Sequence, residues 1–125
     1  MKRLKTRHFN KWARKSNITD SDLLKASLEL ERGTYSANLG GNVFKIRIAR
    51  ESQGKSSGYR TILAYSKNSR VVFIYGFAKN ERDNISKSEL EAFKKLSDDY
   101  LSLNPTRIEQ AEQAGILISL GVSDA

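Results

Sequence analysis

Basic side chains alternate with apolar ones along the stretch VFKIRIAR, and more basic residues follow it. Lys45 and Arg47 alternate with Phe44, Ile46 and Ile48, and this period of two predicts a strand with one core face and one cationic face. Antiparallel neighbours would bring these two cations close to the ends of the next two strands. The same cationic set includes Arg50, Lys55, Arg60, Lys79 and Arg82.

Aromatic residues accompany this cationic set, namely Tyr59, Tyr65, Tyr75 and Phe77. Cations for phosphates and rings for unpaired bases are the combination that binds RNA. Such a set could also cleave RNA without histidine, because the 2′-OH of RNA is its own nucleophile. Clustered cations lower a lysine pKa so that it can act as a base, and arginine can hold the phosphorane oxygens. The residues alone leave cleavage and simple binding equally open.

A nucleotide-binding loop is a weaker interpretation of this region. Gly54-Lys55-Ser56 resembles the end of such a loop, but its first glycine would fall at position 49, which is Ala49. The next residues form a β-branched and aromatic segment rather than the helix that would hold a pyrophosphate. We therefore interpret Gly54–Gly58 as a flexible hairpin loop that carries Lys55.

Metal and acid–base sites also find little support in the sequence. His8 is the only histidine, and it lies among cations with no cluster of ligands around it. Glu51 and Glu81 are weak acid–base candidates, because such residues more often pair with a neighbouring Arg or Lys. We expect no metal and no cofactor. The absence of cysteine excludes disulfides, thiol catalysis and cysteine–zinc sites.

The net charge of +8 is unevenly distributed along the 125 residues. Positions 1–60 contain 14 Lys or Arg against 5 Asp or Glu, whereas positions 83–125 contain 4 against 8. A segregated basic surface predicts a polyanionic partner, although solubility alone is the simpler explanation. No apolar run approaches the roughly 18 residues of a membrane span, and the basic N-terminus lacks the apolar core of a secretory signal. We expect a cytoplasmic protein with no membrane partner.

Periodicity and capping signals predict one α+β domain over residues 1–125, in the order β-α-α-β-β-β-α-α-β with two helices on an antiparallel sheet. A short strand at 2–6 and a helix at 8–16 precede a helix capped by Thr19 that ends at Gly33. After the turn Gly40–Asn42, three strands are predicted at 43–50, 59–65 and 70–77, the last of them central and buried on both faces.

Two capping boxes predict the C-terminal helices. Ser86-x-x-Glu89 begins a helix to about Leu103, and Thr106-x-x-Glu109 begins a short helix ending at Ala114. ILISL at 116–120 is the predicted last strand.

The segments GKSSGYRTILAY and RVVFIYGFAKNERDNISKSELEAFKKLSDDY strongly resemble the RelE/HigB toxins of bacterial toxin–antitoxin systems, specifically their HigB-like branch. GYR followed by GFAKNERDNI is a specific combination. DLLKASLELERGTYSANLGGNVFKIRIAR and EQAEQAGILIS also resemble that branch, so the likeness extends from about Phe9 to Leu120. The resemblance implies an α+β fold with a RelE-like twisted antiparallel sheet, two N-terminal helices packed on it, a C-terminal helix and a short last strand.

The resemblance also implies an activity and partners. It implies a metal-independent endoribonuclease that cleaves translated mRNA in the ribosomal A site by 2′-OH attack and arrests translation. It implies a cognate antitoxin, commonly of the helix-turn-helix type, and contact with operator DNA only through the antitoxin complex. Two alternatives stay open: a ParE-like toxin that inhibits DNA gyrase without cutting RNA, and a degenerate toxin that only binds its antitoxin.

The family's basic positions fall on particular residues of this chain. By resemblance, Arg60 would stabilise the phosphorane, while Lys79 and Arg82 would hold the scissile phosphate or transfer protons; Lys55 is a further catalytic candidate. The expected substrate-binding residues are Lys45, Arg47, Arg50, Tyr59 and Asn80.

Two positions depart from the well-studied RelE branch. Asn80 stands where that branch has an arginine, and Ser86 stands where it has a tyrosine. The resemblance then leaves the base and stacking roles to Lys55, Lys79 or another tyrosine.

Overall fold

A computed structural model describes residues 1–50 and 54–121, with residue 50 and residues 54–57 described by their backbone only. Its helices and strands are β1 (Lys2–Thr6), α1 (Arg7–Lys15), α2 (Asp20–Glu31), β2 (Ala37–Gly40), β3 (Val43–Arg50), β4 (Gly54–Ser66), β5 (Arg70–Ala78), α3 (Lys87–Ser102), α4 (Pro105–Gln113) and β6 (Leu117–Ser119). This order confirms the predicted one except for β2, which the prediction lacked. No helix in the described part of the chain is long and apolar enough to cross a membrane.

The strands form a six-stranded sheet in the order β2-β3-β4-β5-β1-β6. β5 lies in its interior and is buried along its length except at Tyr75, which confirms the central strand predicted from RVVFIYGF. All neighbouring strands are antiparallel except β1 and β5, which run parallel. The predicted α+β fold with a mostly antiparallel sheet is therefore confirmed.

Helices cover both faces of the sheet. α1 and α2 pack on one face, in a core that includes Phe9, Leu23, Leu30, Leu63 and Phe73. α3 and α4 pack on the other, which we call the α3 face; its core includes Leu4, Ile62, Val72, Phe93 and Leu117. Successive side chains of a strand point to opposite faces. Ile46 and Ile48 accordingly join the α1–α2 core, and Lys45 and Arg47, which alternate with them, belong to the α3 face.

Reciprocal capping boxes begin both α2 and α3, which confirms the N-cap predicted at Thr19 and the capping box predicted at Ser86 and Glu89. The backbone N of Asp22 donates to Thr19 Oγ1 at 3.1 Å, and Thr19 N donates to Asp22 Oδ2 at 2.9 Å. Ser86 and Glu89 make the same pair of bonds at 3.1 and 2.7 Å. Each box satisfies backbone donors that the first helical turn leaves without partners.

The predicted capping box of α4 is wrong. Asn104 is the N-cap, since its Oδ1 accepts a hydrogen bond from Arg107 N at 2.9 Å, and Pro105 is the first helical residue. Proline suits that position because it has no N–H to satisfy and its φ is already helical. The helix therefore begins before Thr106, at the Asn-Pro pair that we expected only to end α3.

The interpretation of Gly54–Gly58 as a hairpin loop is also wrong. β4 begins at Gly54, which lies opposite Arg50 of β3, after an irregularity in the register between Ile48 and Arg50. The β3–β4 connection is the segment 51–53, which lies outside the described residues, as does the candidate Glu51. Arg60 consequently lies in the middle of β4 rather than at its start.

β2 pairs with β3 through a tight turn. Gly41 and Asn42 have φ angles of 60° and 61°, as both central residues of a type I′ hairpin turn require. A Cβ on Gly41 would also lie 2.9 Å from Cγ of Lys94, closer than side chains pack. The turn was predicted, but the preceding ANLG has no β-branched or aromatic residue to indicate a strand.

Candidate active site

Two cross-strand rows on the α3 face bring predicted cations together. Arg47 of β3 lies opposite Arg60 of β4, and Arg60 lies opposite Phe77 of β5. The neighbouring row consists of Lys45, Ile62 and Tyr75. We call Lys45, Arg47 and Arg60 the cationic cluster. Residues two apart on a strand share a face, so the alternation in VFKIRIAR places the first two members side by side.

Arg60 is the buried member of the cationic cluster, with 4% of its surface exposed. Burial lowers the pKa of Arg60, and the charge of Arg47 lowers that pKa further. The guanidinium still keeps its proton at neutral pH, because its ordinary pKa is above about 12. The guanidinium of Arg60 is therefore charged although its surroundings disfavour the charge. Such a perturbed ionisable group is typical of functional sites.

Lys45 has a lowered pKa as well. Burial of the half-buried side chain is the largest cause, followed by the charges of Arg60 and Arg47. A lowered pKa increases the fraction of neutral amine near neutral pH, which is the form that accepts a proton. The sequence placed Lys45 among the substrate-binding residues. Its electrostatic surroundings make Lys45 a candidate general base as well. The clustering of cations along the strand is the sequence signal that could have predicted this role.

Arg82 is held in a bidentate ion pair at the start of α3. Its Nη2 donates to Glu89 Oε1 at 2.6 Å and its Nη1 to Glu89 Oε2 at 3.0 Å. Nη1 also lies 3.1 Å from the hydroxyl oxygen of Tyr75, and Nε donates to the carbonyl of Asn84 at 3.0 Å. The hydrogen bonds to Glu89, then to Tyr75, raise the pKa of Arg82; those from Arg82 lower the pKa of Glu89 to about 2.

The ion pair places Arg82 at the edge of the cationic cluster. Its guanidinium carbon lies 5.6 Å from the ring centroid of Phe77 and 6.0 Å from that of Tyr75, and these rings belong to the two rows. Cation–π attraction at such distances supports the position. The sequence assigned Glu89 only to the capping box, because nothing in its pattern indicates a partner seven residues earlier across a turn.

The other predicted site residues are dispersed. Lys79 and Asn80 are exposed in the turn that directly follows β5. Tyr59 points to the opposite face of the sheet, where its ring meets Trp12 edge-on with centroids 5.4 Å apart and its hydroxyl donates to the carbonyl of Ser16. Arg50 and Lys55 belong to β3 and β4 by their backbones, and their side chains lie outside the described residues.

The described residues contain no group of three or more His, Cys, Asp or Glu side chains that could hold a metal ion.

Comparison with known protein families assigns the chain to one of them. Residues 1–120 match the family model described as the RelE toxin of the RelE / RelB toxin-antitoxin system. The chain belongs to the RelE toxin family. Membership makes it a toxin of a toxin–antitoxin system and implies an antitoxin partner. RelE toxins are generally endoribonucleases. A search of curated proteins gave no match, and the assignment to the HigB-like branch stays a prediction.

Proposed function

We propose that this RelE toxin is a ribosome-dependent endoribonuclease that cleaves translated mRNA in the ribosomal A site. The observation that supports it best is the cationic cluster, in which a buried arginine faces a second arginine and a lysine of lowered pKa lies in the next row. Neighbouring cations on one face of a sheet suit a phosphate that gains negative charge in the transition state.

In the proposed reaction, the neutral amine of Lys45 accepts the proton of the 2′-OH. The 2′-oxygen then bonds to phosphorus, and Arg60 and Arg47 stabilise the charge on the pentacovalent phosphorane. The bond from phosphorus to the 5′-oxygen breaks, and the ammonium of Lys79 supplies the proton that this oxygen needs. The products are a 2′,3′-cyclic phosphate and a 5′-hydroxyl.

Arg82 has an electrostatic role in this proposal. Because its hydrogen bonds to Glu89 and Tyr75 raise its pKa, its guanidinium keeps its proton throughout the physiological range. It therefore holds a phosphate oxygen rather than transferring a proton. Proton donation is left to Lys79, which is exposed and lies in the turn next to β5.

The proposal includes a setting and partners. The substrate is mRNA on the ribosome, which places the protein in the cytoplasm. A cognate antitoxin, which we expect to be of the helix-turn-helix type, would neutralise the toxin and connect it to operator DNA. A positively charged surface that meets RNA would account for the excess of Lys and Arg in the first 60 residues.

Expression from an inducible promoter tests the proposal in cells. The parent chain should stop growth and cut messages, whereas Arg60→Ala should permit growth. Arg107→Ala is a matched control, because Arg107 is exposed on α4 and its loss changes the net charge equally. Arrest by Arg60→Ala as strong as that by the parent would contradict the role of Arg60. Intact messages together with impaired DNA supercoiling would assign the chain a ParE-like activity instead.

A further inference from the structure

The imidazole of His8 lies parallel to the phenol ring of Tyr75. Their centroids are 6.1 Å apart and their planes differ by 4°. Tyr75 is half-buried and also contacts the ring of Phe93, with centroids 5.4 Å apart, whereas His8 is exposed in the first turn of α1. The two rings form a stack that is anchored in the core at Tyr75 and reaches solvent at His8.

Tyr75 connects this stack to the candidate active site. Its hydroxyl lies 3.1 Å from Nη1 of Arg82, and it occupies the same cross-strand row as Lys45. A group stacked on His8 would therefore be linked through Tyr75 to Arg82 of the candidate active site.

A cleft of about 430 Å³ adjoins His8. The cleft is lined by Thr6, Arg7, His8, Lys11, Tyr100 and Ile116. None of these residues is acidic, and Tyr100 and Ile116 supply apolar surface.

The cations of the cleft differ in how firmly they are held. Arg7 donates to the carbonyls of Ala114 and Gly115 at 3.1 and 3.0 Å, so it is fixed at the end of α4. Lys11 is exposed, and no acidic group within the described part of the chain lies within ion-pair distance of it. α1 itself contains no acidic residue, so Lys11 is available to an external anion.

We propose that this cleft binds one nucleotide of RNA, whose base stacks on His8 and whose phosphate pairs with Lys11. The inference rests on the proposed function in taking RNA as the substrate. Histidine is among the side chains on which unpaired bases stack. An acidic protein segment could pair with Lys11, but it would leave the ring stack without a partner, and this favours RNA.

Fluorescence anisotropy with the whole chain and two labelled oligonucleotides tests the proposal. One is a 2′-O-methyl hexauridylate, which lacks the attacking hydroxyl, and the other is an abasic strand with equal phosphates. His8→Ala should weaken binding of the hexauridylate about tenfold, as the loss of one base–aromatic stack does, and leave the abasic strand unaffected. His8→Phe should restore binding because it keeps a ring. Lys11→Ala should weaken both strands by similar factors.

Several results would overturn the proposal. They are no measurable binding of the hexauridylate by the parent, no effect of His8→Ala, or an equal loss on both strands. A poly-glutamate peptide that binds the parent more tightly than the hexauridylate, and loses affinity in Lys11→Ala, would assign the cleft to an acidic protein segment. Because the assay reads binding without ribosomes or cleavage, its failure is distinguishable from that of the nuclease proposal.

Discussion

Replacing Arg60 with methionine should make this protein more stable and inactive. The lowered pKa of Arg60 means that the fold disfavours its charge, chiefly through burial and then through Arg47. Favourable cross-strand pairs contribute roughly 0.2–1 kcal/mol, whereas like charges directly opposite each other are destabilising. Burying a charged group costs solvation free energy, and a methionine of similar length avoids that cost while it keeps the apolar contacts of the side chain. A gain near 1 kcal/mol would raise Tm by about 3–6 °C for a domain of this size.

The same substitution removes the group that we propose to stabilise the phosphorane. Losing one such donor typically reduces kcat by about 10²–10³. Thermal unfolding followed by circular dichroism measures the first effect, and cleavage on programmed ribosomes measures the second. Arg107→Met is the control, because this exposed arginine should alter neither quantity. A Tm several degrees below that of the parent would refute the reasoning, since it would show that Arg60 is kept for structure.

Three further predictions concern the site and its support. The cleavage rate should rise with pH through the lowered pKa of Lys45, because the neutral amine accumulates. Lys45→Arg should flatten this rise and lower the rate by about 10²–10⁴. A cleavage rate of the parent that does not depend on pH would contradict the role of Lys45 as the base. The pKa of Glu89 is about 2 instead of 4.5, so its ion pair with Arg82 stabilises the fold above pH 4.5 and is lost as the pH falls towards 2. In urea unfolding, the parent should have a larger free energy of unfolding than Glu89→Gln at neutral pH, and the two values should become equal near pH 2. A difference that stays constant with pH would contradict the role of the ion pair. A Cβ on Gly76 would overlap the ring of Trp12, so Gly76→Ala should lower the free energy of unfolding by about 1–3 kcal/mol. Adding Trp12→Leu should recover part of this loss, and no recovery would argue against the contact.

Local signals in the sequence were sufficient for most of the fold. The period of two in VFKIRIAR and the N-caps at Thr19 and Ser86 act within a few residues, so they are visible without tertiary structure. β2 was missed because ANLG gains its strand conformation from pairing with β3 rather than from its own propensity. The parallel pairing of β1 with β5 joins segments some 68 residues apart, since Lys2 lies opposite Arg70, and no local pattern indicates it.

The site was predictable only where strand alternation determines it. Alternation places Lys45 and Arg47 on one face, and applied to GYRTILAY it also separates Tyr59 from Arg60, which the substrate-binding prediction overlooked. The ion pair between Arg82 and Glu89 depends on how the turn after β5 folds back onto α3. The lowered pKa of the strand lysine depends on burial, which only the packed structure supplies.

Primer extension on messages in a reconstituted translation reaction tests the central claim most directly. With the parent chain we expect new 5′ ends at the codon in the ribosomal A site, which appear only when ribosomes are present and disappear with Arg60→Ala. Full-length messages in the presence of the parent chain and translating ribosomes would contradict the account.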